Sequence, residues 1–171
     1  MPVRRATRRW LAPGAALALG ALGGAGVTGA VSRRSGHTLR TYWSAAATGR
    51  AAVLEARPPH EALAAGGYAA AAGNPTFGSV ATQLIAALEG ASARLRAAGA
   101  IPREVEAYHF LQLDDWREER DLRFAQREAI QNRSQDAWTA AAERDLAWRT
   151  SALHTRTDLA AAQLAALMAR V

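Results

Sequence analysis

Glu106 and His109, in the segment EAYH, are the residues of this 171-residue chain whose types and spacing best suit metal chemistry. A Glu and a His three residues apart project from the same side of a helix, and helical bundles that hold two iron ions use such pairs as ligands. Those bundles need a second Glu-x-x-His pair and two further inward glutamates, and the sequence has no second pair. We therefore expect a surface glutamate and an interfacial histidine, with no metal and no other cofactor.

Groups suited to catalysis are equally sparse in the sequence. Asp114 and Asp115 are adjacent, so their carboxylates diverge around a helix and do not form an acid–base pair. Ser151 and His154 lie three residues apart, but no acid stands near them in the sequence to orient the imidazole. The chain also has no cysteine and no glycine-rich phosphate loop between a strand and a helix. The sequence therefore predicts that the protein is not an enzyme.

The formal net charge of +6 comes from the N-terminal part of the chain. Residues 1–40 contain seven arginines and no acidic residue, whereas residues 41–171 contain 14 arginines and 15 acidic residues, a net of −1. A nucleic-acid-binding domain needs its basic surface on the folded part, so this distribution argues against DNA or RNA as a partner. The arginines within Arg4–Arg9 and Arg33–Arg40 instead flank an apolar segment, where they suit anionic lipid head groups.

That apolar segment, residues 11–31, follows the basic N-terminus of residues 1–10 and contains no charge. As a helix it would be about 31 Å long, enough to span the hydrocarbon core of a bilayer. Small residues recur every four positions along one face, a pattern typical of helices that pack closely within a membrane. This ridge consists of Ala16, Gly20, Gly24 and Thr28. Two interpretations stay open: a retained membrane anchor, which we favour, or a cleaved export signal that ends near Val31.

The rest of the chain is predicted to be all-α, because no run of alternating β-branched residues occurs in it. Residues 32–75 are expected to form short helices and turns. Within them, residues 37–57 are rich in helix formers and are followed by Pro58 and Pro59, at which we expect the helix to stop.

Residues 76–100 show the clearest amphipathic pattern, with Ser79 as the expected N-cap and Gly99 as the expected left-handed stop. The apolar stripe consists of Val80, Leu84, Ala87, Leu88, Ala91 and Leu95. Residues 101–171 form a long helical segment, because neither glycine nor proline occurs after Pro102. This segment is either one long helix or two to three helices, with QNRSQD at 131–136 as the best candidate break.

The stretch DDWREERDLRFAQRE, residues 114–128, mixes acidic and basic side chains. Glu119 and Arg123 form a favourable pair at i and i+4, and we expect a solvated helix face. A heptad register through Tyr108 and Leu122 places Asp115 at the seam, which argues against a coiled coil.

Aromatic residues and a C-terminal apolar stripe are the candidate contacts with partners, because strongly aliphatic residues are sparse in the body of the chain. These candidates are Trp116, Trp138, Trp148, Leu164, Leu167 and Met168. The alternative is that they fill the core of the domain itself.

These features predict a non-catalytic accessory or structural subunit that docks on the membrane proteins of a larger complex. A single-pass anchor would hold it in a bacterial plasma membrane or an organellar inner membrane. The alternative is an exported, periplasmic helical bundle that folds after its signal is cleaved and acts as a sensor or envelope-binding module.

Overall fold

The computed structural model describes the backbone of residues 33–170 and the side chains of residues 38–170. This part of the chain contains six α-helices and no strand, which confirms the all-α prediction. None of the described helices is both long enough and apolar enough to cross a bilayer. Residues 11–31, with their ridge of small residues, lie outside the described residues. The helices are α1 (Arg33–Ala64), α2 (Gly67–Gly73), α3 (Phe77–Arg96), α4 (Glu106–Gln131), α5 (Gln135–Arg149) and α6 (Ala152–Met168).

α1 and α3 are antiparallel neighbours that approach each other closely. Gly49 lies against Ala91, while His60 of α1 meets Phe77 at the start of α3. A Cβ atom added at Gly49 would stand 3.1 Å from the Cα and Cβ atoms of Ala91, so only glycine fits this contact without a shift. The small residue therefore sets the distance between the two helices.

α4 packs against α3 on one side and against both α5 and α6 on the other. It runs parallel to α1, because Tyr42 meets His109 and Arg57 meets Glu119 further along both helices. α5 and α6 follow each other along α4 and together count as one of four helical columns. With α1, α3 and α4 they form a four-helix bundle in which α1 and α4 face each other across the centre. The α1–α4 contacts are made by long polar and aromatic side chains.

α1 continues through Pro58 and Pro59, so the predicted stop at these prolines is wrong. Each proline lacks an N–H group and leaves free the carbonyl four residues earlier, on Leu54 and Glu55. All four residues are exposed, so water can satisfy these carbonyls. Directly after the prolines, His60 is fully buried and anchors the last turns of α1 in the bundle.

α3 begins at Phe77, two residues before the predicted cap at Ser79, and Thr76 occupies its N-cap position. The helix ends at Arg96, and Gly99 has a φ of +86°, which confirms the predicted left-handed stop. The predicted stripe faces the interior: Leu84, Leu88, Ala91 and Leu95 are buried, and Val80 and Ala87 are half-buried.

The segment after Pro102 contains three helices, and the predicted break at QNRSQD is confirmed. α4 ends at Gln131, and Arg133 adopts a φ of 54° in the turn. The Ser134 side chain then accepts a hydrogen bond from the backbone N–H of Ala137 and caps α5. Ser151 caps α6 in the same way, at a second break that the sequence had not indicated.

The interior contains two apolar clusters. The main core joins α1, α3, α4 and α6 and is formed by Leu39, Tyr42, Ala46, Val53, Leu84, Leu88, Ala91, Leu95, Val105, Tyr108, Trp116, Ala161 and Leu164. The small core lies at the other end of the bundle and is formed by Ala71, Phe77, Ala81, Ala129 and Trp138. On α4, the main core ends at Trp116 and the small core begins at Ala129. Buried charged side chains lie between these two residues.

Candidate functional site

One face of α4 buries polar side chains, so the prediction of a solvated face for residues 114–128 is wrong. The buried residues recur every three or four positions, which keeps them on one side of the helix. They are Gln112, Asp115, Glu119, Arg123 and Gln126, each at most 3% exposed. The reason is the place of α4 in the bundle: it is covered by α3, α5 and α6 and reached by side chains of α1.

The buried charges of α4 are compensated by neighbours on other helices. Arg57 donates two parallel hydrogen bonds to the Glu119 carboxylate, of 2.9 Å from Nε and 2.7 Å from Nη2. Arg123 Nη2 lies 3.5 Å from Glu119 and 2.9 Å from Asp145, while its Nη1 donates to Gln126 at 3.0 Å. Bidentate arginine–carboxylate pairs are among the stronger charged contacts in proteins. Glu119 is therefore held between two guanidinium groups.

We call these residues, together with a buried histidine of α1, the polar layer. The polar layer consists of Arg57, His60, Glu119, Arg123 and Asp145. It lies between the main core and the small core, so apolar packing flanks it at both ends.

A cleft of about 430 Å³ opens between α1 and α5 and reaches the polar layer; we call it the polar cleft. α1 and α2 provide one wall, α5 the other, and α4 the floor. The lining residues are His60, Glu61, Ala64, Ala65, Gly67, Arg123, Gln126, Trp138, Ala142, Asp145 and Arg149.

Unpartnered buried polar atoms are concentrated at the polar cleft. Among the described residues, no hydrogen bond is made by His60 Nδ1 and Nε2, Arg123 Nε and Nη2, or Asp145 Oδ1. Arg123 Nη2 and Asp145 Oδ1 are 2.9 Å apart, but not in hydrogen-bond geometry. The described part of the chain has one other such atom, Arg127 Nε. Because buried polar atoms are nearly always hydrogen-bonded, these atoms give the cleft hydrogen-bonding capacity that its own side chains do not use.

His60 faces the polar cleft as a neutral imidazole. Burial lowers its pKa to about 4; the charges of Arg123 and Arg149 act in the same direction, and the charge of Asp145 opposes them. A neutral imidazole has one nitrogen that donates and one that accepts. The His60 ring can therefore offer one donor and one acceptor to a ligand. One face of the ring packs near Phe77, with 5.3 Å between the ring centroids.

Arg149 links the two walls at the rim of the polar cleft. Its Nη1 lies 2.8 Å from the Glu61 carboxylate of α1, and its Nε donates to Asp145 at 3.0 Å. The lining charges of Arg123 and Arg149 balance those of Glu61 and Asp145, and His60 is neutral. The cleft therefore has a net charge of zero but strong local charges of both signs.

Two other depressions are less suited to binding. One of about 640 Å³ lies between α1 and α3, but none of its lining residues is buried. One of about 250 Å³ lies between α1 and α6, walled by Trp43 and several alanines. Neither contains a buried polar side chain without a partner in the described part of the chain.

The candidate partner contacts lie largely within the bundle. Trp116, Trp138, Trp148 and Leu164 are each at most 5% exposed, and Leu167 and Met168 are partly buried against the main core. Their surfaces are covered by the chain itself, which is the alternative that the sequence left open. Trp138 also forms part of the α5 wall of the polar cleft. The ridge residues Ala16, Gly20, Gly24 and Thr28 are outside the described residues.

His154 has an acidic partner that its sequence neighbourhood did not reveal. Its Nδ1 lies 3.1 Å from Asp115 Oδ1, which also accepts a hydrogen bond of 2.9 Å from Trp148 Nε1. The Ser151 hydroxyl accepts from the backbone N–H of His154 and so caps α6. Burial raises the pKa of Asp115, and His154 and Trp148 oppose this rise. The arrangement joins three helices and leaves the serine engaged as a cap.

Glu106 and His109 do not converge on a common point. The His109 ring lies 3.2 Å from the Tyr42 hydroxyl and is buried, whereas Glu106 is exposed. No group of three or more potential metal-ligating side chains occurs within the described residues.

No protein-family model, curated protein or solved structure matches this chain. The choice of the candidate site therefore rests on its geometry. His60 and Arg123 had not been singled out from the sequence. One signal pointed towards Arg123: the heptad register that places Asp115 between Tyr108 and Leu122 at a helix seam. All three are buried, and so are Glu119 and Gln126, which lie one helical turn further along the same face.

Proposed function

We propose that this chain is a non-catalytic binding module, a helical bundle that takes up a small polar molecule in the polar cleft. The observation that supports this proposal most strongly is the set of buried, unpartnered polar atoms on His60, Arg123 and Asp145. The volume of about 430 Å³ lies within the usual range for small-molecule sites, about 300–1,000 Å³.

The chemistry of the lining residues favours binding over catalysis. The eleven residues that line the polar cleft include no serine, threonine or lysine. The two carboxylates of the lining, Glu61 and Asp145, are both paired with Arg149. A pKa of about 4 makes His60 a weak base near neutral pH. A nucleophile activated by a neighbouring base, the usual requirement for covalent catalysis, has no counterpart in this set.

The N-terminal segment gives the module its location in this proposal. Residues 11–31 hold the bundle at a membrane as a single-pass anchor, or direct it across one as a cleaved signal. The flanking arginines support contact with anionic lipid head groups. Sequencing the N-terminus of the mature protein separates the two: Met1 or Pro2 supports the anchor, and a residue near Val31 supports export.

A subunit that docks on a larger membrane complex is the second candidate. It is supported by Leu54, Phe110, Leu146 and Leu159, which are 51–65% exposed. Single apolar side chains are ordinary on protein surfaces, so this observation has less weight than the polar cleft. If a docked anchor packs through its ridge, replacing Gly20 and Gly24 by leucine will abolish co-purification of partners from gently solubilised membranes.

Binding is tested by intrinsic-fluorescence thermal melts of the full-length chain, in mild detergent if it fractionates with membranes. The panel contains amino acids, sugars, nucleosides, amines and carboxylic acids. We expect at least one compound to raise Tm in the wild type and in Ala140→Leu, an exposed α5 control outside the cleft lining. Ala142→Leu, which places a larger side chain in the cleft wall, should remove the shift. A panel without any stabilising compound would contradict the proposed function.

A further inference from the structure

In the polar cleft, Arg123 on the α4 floor and Asp145 on the α5 wall form an ion pair that leaves hydrogen-bonding atoms of both side chains unused. Arg123 is 1% exposed; its Nη1 already donates to Gln126, but its Nε and Nη2 make no hydrogen bond among the described residues. Asp145 Oδ2 accepts a hydrogen bond from Arg149, whereas Asp145 Oδ1 accepts none from the described residues. Arg123 Nη2 and Asp145 Oδ1 are 2.9 Å apart. An occupant that satisfies both must therefore carry an acceptor and a donor close together.

The balance of charge restricts the occupant further. Arg123 and Arg149 balance Glu61 and Asp145, so the lining is neutral before anything binds. An anion or a cation would add an uncompensated charge beside the buried Arg123 and His60 side chains, which is costly. A molecule that is neutral overall but carries one charge of each sign avoids this cost. Arginine favours carboxylates among small acceptors, and an ammonium group suits a free carboxylate oxygen.

The walls leave room for a small apolar or flat substituent. Trp138 provides an indole surface on α5, and Ala64, Ala65 and Ala142 have only methyl side chains. His60 adds a neutral ring on the α1 wall, with a nitrogen that can donate to a carboxylate oxygen.

From these contacts we infer that the polar cleft binds a zwitterion of the α-amino-acid type. Its carboxylate accepts from Arg123 Nε and from His60, and its ammonium group donates to Asp145 Oδ1. Its side chain lies against Trp138 and the alanine wall. This inference rests on the binding function proposed above and adds the chemical class of the ligand.

The test uses the twenty common L-amino acids with the full-length chain, in thermal melts followed by calorimetric titration of the compounds that bind. The tightest binder is then compared with two derivatives of the same side chain. The amide removes the negative charge, and the N-acetyl derivative removes the positive charge. Each derivative should bind at least about 30-fold more weakly, because it leaves one buried charged group of the cleft without its partner.

Variants locate the binding site. Ala142→Leu should weaken binding of the amino acid at least about tenfold, because the added side chain occupies the cleft. Ala140→Leu, on the same helix but outside the lining, should leave the affinity unchanged. His60→Leu is expected to fold and to lose affinity through the missing donor, so it reports on the α1 wall without removing a charge.

The outcomes separate the ligand class from the binding function. If an uncharged or singly charged compound of the wider panel binds in an Ala142→Leu-sensitive manner and no amino acid does, the zwitterion inference is overturned and the binding function stands. Equal affinity for the amide or the N-acetyl derivative also overturns it. Amino-acid binding that Ala142→Leu leaves intact places the site elsewhere and refutes the inference. If no compound binds, the cleft holds only water and both proposals fail.

Discussion

Replacement of His60 by leucine is expected to stabilise the bundle while it weakens ligand uptake. The imidazole is fully buried, and neither ring nitrogen makes a hydrogen bond among the described residues. A buried polar group without a partner costs about 1–3 kcal/mol, and leucine has no such group. After allowance for imperfect packing beside Phe77, we expect the free energy of unfolding at pH 7 to rise by about 1–2 kcal/mol, or about 3–7 °C in Tm.

The stabilisation should increase as the pH falls, because His60 titrates abnormally in the folded protein. Burial, aided by Arg123 and Arg149 and opposed by Asp145, lowers its pKa from 6.5 to about 4. Below pH 6.5 the unfolded chain therefore binds a proton that the folded chain does not, so wild-type stability decreases towards pH 4. The wild type therefore loses about 3 kcal/mol of its free energy of unfolding through His60 between pH 7 and pH 4, and the leucine variant does not have this loss.

Urea unfolding followed by circular dichroism at several pH values between 7 and 4 measures both effects. The raised pKa of Asp115 acts in the opposite sense, since its contribution is lost as the pH rises, but it is common to both proteins. The difference between variant and wild type therefore isolates His60. A variant that is less stable than the wild type at pH 7, or a difference that does not grow as the pH falls, would refute the assignment of a neutral, unpartnered imidazole.

Three further substitutions test the packing and the polar layer by urea unfolding. Arg123→Met should cost about 1.5–3 kcal/mol, because the buried Glu119 and the half-buried Asp145 each lose one of two arginine partners, and a loss below about 1 kcal/mol would show that water compensates them. Gly49→Leu should cost about 1–3 kcal/mol because its Cβ meets Ala91 at 3.1 Å, whereas Gly90→Leu, with no atom within 4 Å of its Cβ, should be neutral or stabilising; equal effects would contradict a close helix contact. Arg133→Gly should stabilise by about 0.5–1 kcal/mol, because the φ of 54° there favours glycine, and a destabilised variant would mean that this turn is not left-handed.

Local signals in the sequence were sufficient for the helical class and for several helix ends. Gly99 predicted a left-handed stop, and QNRSQD predicted the break between α4 and α5, because turn residues act through their own backbone preferences. The stripe of α3 was also predictable, since all three of its leucines, Leu84, Leu88 and Leu95, are buried. These features depend on residues within one or two turns of each other.

The features that could not be predicted depend on partners far away in the chain. The burial of Glu119 requires Arg57, which lies 62 residues earlier, and the orientation of His154 requires Asp115, which lies 39 residues earlier. A mixed-charge helix surrounded by its own bundle has the same local composition as a solvated one. The continuation of α1 through Pro58 depends likewise on whether the freed carbonyls face water, which the sequence alone does not show.

The polar layer links α1, α4 and α5 through ion pairs and supplies charged groups to the cleft. The main core and the small core bury their apolar side chains on either side of it, so both ends of the bundle are packed without closing the seam between α1 and α5. Between them, Arg57 of α1 reaches Glu119 of α4, while Arg123 pairs with Glu119 on α4 itself and with Asp145 of α5. A seam of this width lined only by alanine would remain dry or collapse, whereas a floor with free donors and acceptors favours a polar occupant. On the proposed function, the charged donor that α4 places in the lining through Arg123 therefore favours a polar ligand.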